Sequence, residues 1–356
     1  MKKTNAGNFL VCPLSVEVIL SLVHAGAKGE TAKQLTTGLH LPESQEQVQN
    51  MIKELTPKLK GNDKYTLASA NKVYVKDGFQ ISDDFKSVAV KVFDSEIQNI
   101  DFVKSDEASK EMNKWVEAQT HDKIKDLISK DDLNEDTVAV LINAMYFKGA
   151  WVKQFSEYGT RKRPFQVSKD KKVDVDMMEI TDYFNYYEDE TLKAKFLELP
   201  YEGNDLSMTF VLPNEVDGLG ELENNIAAAL ATPKYTKERV HVQLPKYKIE
   251  STIQFKPILE DLGVKDIFDG RADLSGIGAN KEKLFVSKVV QKAFVEIDEN
   301  GTTAAAATAV IMFDRAAILI PREVKLFTFQ ADHPFVFVLR HKHTGIVFTG
   351  RYNAVV

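Results

Sequence analysis

The segment from Phe294 to Ile320, FVEIDENGTTAAAATAVIMFDRAAILI, sets Gly301, two threonines and four consecutive alanines between two runs of strand formers. Phe294, Val295 and Ile297 predict a short strand, and Asp298 to Gly301 a turn after it. Side chains alternate along an extended chain, so Thr302, Ala304, Ala306, Thr308, Val310 and Met312 would share one face. Thr303, Ala305, Ala307, Ala309, Ile311 and Phe313 would share the other. Neither face carries a charge before Asp314 and Arg315, so the segment can enter a covered sheet without burying one. The same residues also suit a helix, because alanine is the best helix former and Thr302 or Thr303 can cap it. A segment that satisfies both patterns is built to change conformation.

The rest of the chain reads as one large unit over residues 1–356. Its 44% hydrophobic content can bury a substantial core, and no Pro/Gly/Ser-rich or low-complexity stretch divides it. Eleven prolines are too few to signal disorder, and no apolar run reaches the length of a membrane span. The net charge of -6 gives no general pull towards nucleic acid or an anionic membrane. Lys53, Lys58, Lys60 and Lys64 are interrupted by Glu43, Glu46, Glu54 and Asp63, which argues against a polyanion site. Arg161, Lys162 and Arg163 read as a solvated surface turn. Cys12 is the only cysteine, so no internal disulfide forms. Beside Pro13 and ahead of the apolar run Val16 to Val23, it reads as a small buried residue rather than a reactive thiol.

Periodicity predicts helices over Leu14 to His24, Gly29 to Leu39, Glu43 to Leu59, Phe85 to Val92 and Ala108 to Ile128, and a short one over Thr252 to Leu262. Strands are predicted over Leu67 to Val75, Val138 to Phe147, Lys195 to Leu199, Leu206 to Leu212, Val240 to Lys248, Phe285 to Ile297, Phe335 to Arg340 and Ile346 to Tyr352, with an extended link at Ile97 to Phe102. The chemistry of an enzyme is not evident. The pair His341 and His343 offers two imidazoles from one strand, read as surface residues, without recognisable further metal ligands. GxSxG, Walker and HExxH patterns are absent.

Four landmarks in order make a resemblance specific. Asn8-Phe9-Leu10-Val11-Cys12-Pro13-Leu14-Ser15 opens the chain, and Asn143-Ala144-Met145-Tyr146-Phe147-Lys148-Gly149-Ala150-Trp151 stands in the middle. Ala331-Asp332-His333-Pro334-Phe335 and Phe348-Thr349-Gly350-Arg351 close it. With the Gly301 to Ala309 segment, these resemble the serpins over almost the entire chain, and in particular inhibitory arthropod members.

The resemblance implies an α+β fold of three β-sheets, eight or nine helices and an exposed reactive centre loop, here residues 299–322. It implies suicide inhibition: the loop is attacked as a substrate, and the cleaved hinge inserts into the main sheet and carries the acylated protease with it. The hinge maps to Glu299, Gly301, Thr302, Thr303, Ala304, Ala305, Ala306, Ala307 and Thr308, and the sheet opening to Cys12, Ser15, Asn143, Trp151 and Gln291. Gln291 stands where many relatives carry a histidine, and it can hydrogen-bond Asn143 without titrating. Hinge spacing from Glu299 places the specificity residue at Arg315, before Ala316. Counting back from Phe329 gives Ile320, and Arg322 is a further alternative. Arginine points to a trypsin-like serine protease or an arginine-tolerant cysteine protease. The competing function is a non-inhibitory carrier, chaperone or storage protein. No cofactor is implied, and a monomer is expected. Asn300-Gly301-Thr302 is the only glycosylation sequon, read as unused because a glycan there would obstruct entry of Thr302. The family's first helix precedes the segment matching Asn8 and Met1 to Gly7 cannot supply it, so a lost signal peptide would make an extracellular location the favoured expectation over a cytoplasmic one.

Overall fold

The computed structural model describes residues 7–278, 283–302 and 325–354. Among these residues are eight α-helices: α1 (Pro13–Gly26), α2 (Gly29–Gly38), α3 (Gln45–Leu55), α4 (Asp83–Phe93), α5 (Ser105–Gln119), α6 (Leu219–Asn224), α7 (Ile226–Ala229) and α8 (Lys256–Asp261). The strands are β1 (Phe9–Val11), β2 (Tyr65–Lys76), β3 (Ser95–Ile100), β4 (Ala139–Ala150), β5 (Arg161–Ser168), β6 (Lys171–Asp189), β7 (Ala194–Pro200) and β8 (Leu206–Pro213). They continue as β9 (Thr236–Pro245), β10 (Tyr247–Gln254), β11 (Lys288–Ile297), β12 (Gly301–Thr302), β13 (Leu326–Gln330), β14 (Phe335–His341) and β15 (Gly345–Tyr352).

A six-stranded sheet has the order β10-β11-β4-β2-β3, with β12 attached to the top of β4. A nine-stranded sheet runs β1-β15-β14-β8-β7-β6-β9-β13, with β5 on β6. The three sheets implied by the resemblance thus appear as two hydrogen-bonded sheets, for a local reason. β6 is 19 residues long; its Met177–Tyr186 portion pairs with β9, and Asn185–Asp189 pairs with β7, so one strand belongs to both halves.

Local chemistry accounts for the helices nearest the site. Pro13 opens α1, where its missing N–H costs nothing, and the helix is buried through Val16, Ile19, Leu20, Leu22 and Val23 between the sheets. Ser82 caps α4 by accepting from Phe85 N–H, Asp83 and Asp84 occupy its first turn, and Asp94 ends it in the left-handed conformation. α5 lays Ala108, Met112 and Val116 over the six-stranded sheet. Its Trp115 indole N–H donates to Glu96 at 3.2 Å, and the Lys72 ammonium lies 5.1 Å from the Trp115 ring.

Several boundaries differ from the sequence reading. The helix expected over Ala108 to Ile128 ends at Gln119, because His121 and Asp122 take positive φ and the Thr120 hydroxyl accepts from Ile124 N–H. Ile124, Leu127 and Ile128 are buried all the same, held in a return loop by Asn113, whose side chain bonds both the N–H and the carbonyl of Ile128. The strand expected over Val240 to Lys248 is two strands that part after Pro245, which has no N–H for the ladder. Thr252–Gln254 complete β10, so the helix expected from Thr252 is only α8, with Pro257 in its first turn. Arg161, Lys162 and Arg163 begin β5 instead of forming a turn, and Lys162 and Arg163 pair with Asp176 and Glu179. His341 is buried rather than superficial, and its Nδ1 accepts from His343 N–H.

Candidate functional site at the opening of the six-stranded sheet

The centre of the six-stranded sheet contains a parallel pair. β11 runs beside β4 from Lys288 opposite Val140 to Phe294 opposite Tyr146. Beyond Phe294 the two strands part, and β11 ends at Ile297 in the turn expected from the sequence. Asp298 builds that turn, because its carboxylate accepts from the N–H groups of Asn300 and Gly301 while Asp298 and Gly301 bridge through their backbones. Burial raises the Asp298 carboxyl above its usual value, against the pull of those two amides.

The chain then reverses into the gap. Gly301 pairs antiparallel with Ala150, and Thr302 with Gly149. Gly301 has φ +139°, and a Cβ on it would lie 2.2 Å from the Gly149 carbonyl oxygen, so no other residue fits. Thr302 is completely buried, and its hydroxyl is 2.9 Å from that of Tyr201. Burial raises the Tyr201 phenol well above its usual range, which keeps it a neutral hydrogen-bonding group. The ring of Tyr201 stacks on Trp151 at 4.2 Å. Trp151 fastens the turn twice: its backbone N–H donates to Asn300 O at 2.8 Å and its indole N–H to Asp298 O at 3.1 Å.

Glu299 faces the other way and is buried. Its carboxylate takes Lys246 Nζ at 2.8 Å and the Thr160 hydroxyl at 2.7 Å, and its carbonyl accepts from Phe155 N–H. Burial alone would raise the Glu299 carboxyl, but the Lys246 and Thr160 hydrogen bonds outweigh it and hold the group below the usual glutamate range. Lys246 is raised correspondingly by its bond to Glu299.

Farther down the sheet the polar groups are neutral. Gln291 is fully buried; its side chain accepts from Cys12 N–H at 2.9 Å, donates to Cys12 O at 2.8 Å, and donates to Asn143 Oδ1 at 2.5 Å. Asn143 donates in turn to Ser15 and, at 2.7 Å, to Asn71, and Ser15 reaches Ser69 at 2.8 Å. The network therefore ties α1, β2, β4 and β11 together across the parallel seam. The Cys12 thiol is buried and pushed up to about 12, so it is inert at neutral pH, as its sequence context implied.

The α5 return loop bridges the same seam on the outer face. Lys123 approaches Glu296 at 3.7 Å, Lys288 pairs with Asp132 at 2.5 Å, and buried Lys292 bonds Lys125 O and Glu250.

Every sequence-selected residue of the opening thus lies along one seam: Cys12, Ser15, Asn143 and Gln291 in the middle, and Trp151, Glu299, Gly301 and Thr302 at the top. Thr303, Ala304, Ala305, Ala306, Ala307 and Thr308 lie outside the described residues, as do Arg315, Ala316, Ile320 and Arg322. Sequence reading missed Lys246, Thr160, Tyr201, Gly149 and Asn71. Gly149 alone carried a usable hint, a glycine inside an otherwise apolar strand, which marks close approach of another backbone.

The chain is similar over most of its length to several proteins of one family. Serine protease inhibitor 42Dd of Drosophila melanogaster is 41% identical over 349 residues, covering 97% of this chain and 90% of that protein. Alaserpin of Manduca sexta is 38% identical over 344 residues, covering 95% of this chain and 86% of its own length. Among solved structures, Serpin48 of Tenebrio molitor, described as a highly specific serpin, superposes with a TM-score of 0.91 at 42% identity, covering 99% of this chain and 93% of the other. Cleaved Serpin 42Da superposes with a TM-score of 0.87 at 31% identity, covering 100% and 94%. The family profile described as Serpin (serine protease inhibitor) matches residues 1–355. The chain belongs to the serpins, whose members act on proteases as pseudo-substrate inhibitors and not as catalysts.

Proposed function

We propose that this serpin is an irreversible suicide-substrate inhibitor of a trypsin-like serine protease or an arginine-tolerant cysteine protease, and that Arg315–Ala316 is the bond attacked. The observation that carries the reading is the antiparallel pairing of Gly301 and Thr302 with β4 directly above the parallel β4–β11 seam. If that register continues, Ala305 meets Tyr146, whose present partner is Phe294. Insertion therefore requires β11 to peel from β4, from Phe294 down to Lys288, and Ile311 then meets Val140.

The exchange is downhill. One parallel interface is replaced by two antiparallel ones, which are slightly more stable per residue. Each net hydrogen bond contributes about 0.5–1.5 kcal/mol, and burial of the alanine and valine side chains adds to it. These gains oppose roughly 1–2 kcal/mol per residue for ordering the backbone. What holds the uninserted form is the barrier at the seam, set by the Gln291–Asn143 network inside and the lysine contacts of the α5 return loop outside. Small uncharged hinge residues keep that barrier passable once cleavage frees the loop. At about 3.4 Å per residue, the run from Thr302 to Arg315 would carry an acylated protease roughly 40 Å, the length of the sheet.

The test is incubation with trypsin, followed by denaturing electrophoresis and mass analysis of the released peptide. A complex that survives denaturation, with a peptide beginning at Ala316, is the expected result. A peptide beginning at Pro321 or Glu323 moves the site to Ile320 or Arg322. Cleavage without a stable complex would mean a substrate or carrier and would sink the inhibitory reading.

A further inference from the structure

The turn that ends β11 holds the only Asn-Gly pair in the sequence, Asn300-Gly301. Asparagine is among the thermolabile residues, and a following glycine leaves its side-chain amide open to attack, because no Cβ screens the next backbone nitrogen. Glycine cannot be exchanged at this point: a Cβ on residue 301 would meet the Gly149 carbonyl oxygen at 2.2 Å. Asn300 is partly exposed, whereas Gly301 is buried.

Deamidation needs the nitrogen of Gly301. That nitrogen attacks Asn300 Cγ, the bond from Cγ to the side-chain nitrogen breaks, and ammonia leaves with the proton that Gly301 gave up. Water then opens the cyclic imide, at Cγ to give aspartate or at the main-chain carbonyl to give isoaspartate. In the closed turn the Gly301 N–H donates to the Asp298 carboxylate at 3.1 Å and to the Asp298 carbonyl at 3.2 Å. An accepting carboxylate opposes loss of that proton, and imide closure would leave both acceptors without it. Trp151 holds the same turn from the other side, with its backbone N–H on Asn300 O and its indole N–H on Asp298 O. The turn must therefore open before the chemistry can start.

We propose that Asn300 is a site of spontaneous deamidation gated by the Asp298 turn, and that its isoaspartyl product releases Gly301 and Thr302 from β4. Isoaspartate routes the main chain through Cβ and Cγ. This lengthens the chain by one carbon and takes the carbonyl bound by Trp151 out of the backbone. It also sets a new carboxylate beside Asp298 and Glu299, where Lys246 already serves Glu299. The antiparallel pairing of Gly301 with Ala150 is too close to Gly149 to absorb such a shift.

Protein made in bacteria, so that the sequon stays bare, would be aged at physiological pH and temperature beside a free peptide running from Val295 to Thr302. Peptide mapping reads conversion at position 300, and labelling by isoaspartyl methyltransferase identifies the linkage. Asn300 should convert ahead of every other asparagine, but at least about tenfold more slowly than in the free peptide. Asp298→Ala should speed conversion at least about fivefold, and Trp151→Phe, which keeps a ring but drops the indole donor, about twofold. Asn300→Gln should remove the modification. The Trp151 and Phe155 amides both donate to the turn, so in the isoaspartyl fraction, separated by ion exchange, they should exchange hydrogen at least about tenfold faster than in fresh protein. Conversion as fast as in the peptide, or unchanged by both variants, overturns the gate. An intact Asn300 after other asparagines have converted overturns the site, and unchanged exchange at Trp151 and Phe155 overturns the release from β4.

Discussion

The top and the middle of the seam between β4 and β11 are closed by different chemistry. At the top, Glu299 is held by an ammonium and a hydroxyl, and the turn is clamped by Trp151 and Tyr201. In the middle, Gln291, Asn143, Asn71, Ser15 and Ser69 form a chain of neutral donors and acceptors, with no titrating group among them. The entry point therefore answers to charge and acid, whereas the inner network below it carries no titrating group and answers to geometry, the ionic contacts of that part of the seam being on its outer face. On the proposed insertion reading this division is useful: the ionic contact would fix where insertion begins, and the neutral network would set how readily the strands part.

The comparison can be tested most forcefully by letting insertion finish. Cleavage at a single loop bond should raise Tm by more than about 15 °C, because the parallel seam becomes two antiparallel interfaces. Calorimetry of intact and cleaved protein in one buffer checks this, and a shift near zero would mean that the seam does not open.

A charge at the entry should have the next largest effect. Thr302 is fully buried beside Tyr201, so Thr302→Arg forces a guanidinium through a closed site early in insertion. Turnover as a substrate should then compete with trapping and raise the moles of inhibitor consumed per protease severalfold. Titration of residual protease activity measures it, and an unchanged ratio would contradict the position of the hinge.

Removing the ionic partner at the top separates the two regions by pH. Lys246→Met leaves the buried Glu299 carboxylate without its cation, which should cost about 1–3 kcal/mol at neutral pH, given that Lys246 is partly exposed. The carboxyl of wild-type Glu299 is depressed in the folded state. Its contribution is therefore complete above the unfolded value of 4.5 and is lost as pH falls below it. Denaturation midpoints from pH 3 to pH 7 should show that acid slope in wild type and a weaker one in the variant.

The smallest effect concerns the middle. Wild type has no titrating group in the network, so seam opening should be flat between about pH 5.5 and pH 8. Gln291→His should introduce a dependence: a buried imidazole stays neutral, so the unfolded chain takes up the proton first and stability falls as pH drops through about 6.5. Peptide-insertion rates across that range read the difference, and parallel profiles for the two proteins would dismiss it.

The parts legible in the sequence are those with strong local codes. Apolar runs gave β4, β11, β14 and β15, and Asp298 to Gly301 gave the turn at the entry. β6 was not legible, because its outward residues include Asp174, Thr181 and Asn185 and its apolar residues shift face at Met177 and Met178, which are both buried. Lys246, Thr160 and Tyr201 come from three separate connections between strands and meet the hinge only through the fold, and nothing in their immediate sequence announces it. The end of α5 escaped for a related reason. Ile124 and Leu127 keep helical spacing because the return loop buries them against the same sheet, and burial leaves the same trace in sequence whether or not the backbone is helical.

The chain contains two tryptophans, and their placement makes the protein its own spectroscopic reporter. Trp151 is buried against Tyr201 at the hinge, an environment that gives short-wavelength emission open to quenching by its neighbours. Trp115 is half-buried on α5 under the Lys72 ammonium and should emit farther to the red. On the proposed insertion reading, strand entry would disturb the first, and displacement of α5, whose return loop bridges the seam, would disturb the second. Replacing each indole in turn with phenylalanine would resolve the two movements in time within a single stopped-flow trace, without any attached dye.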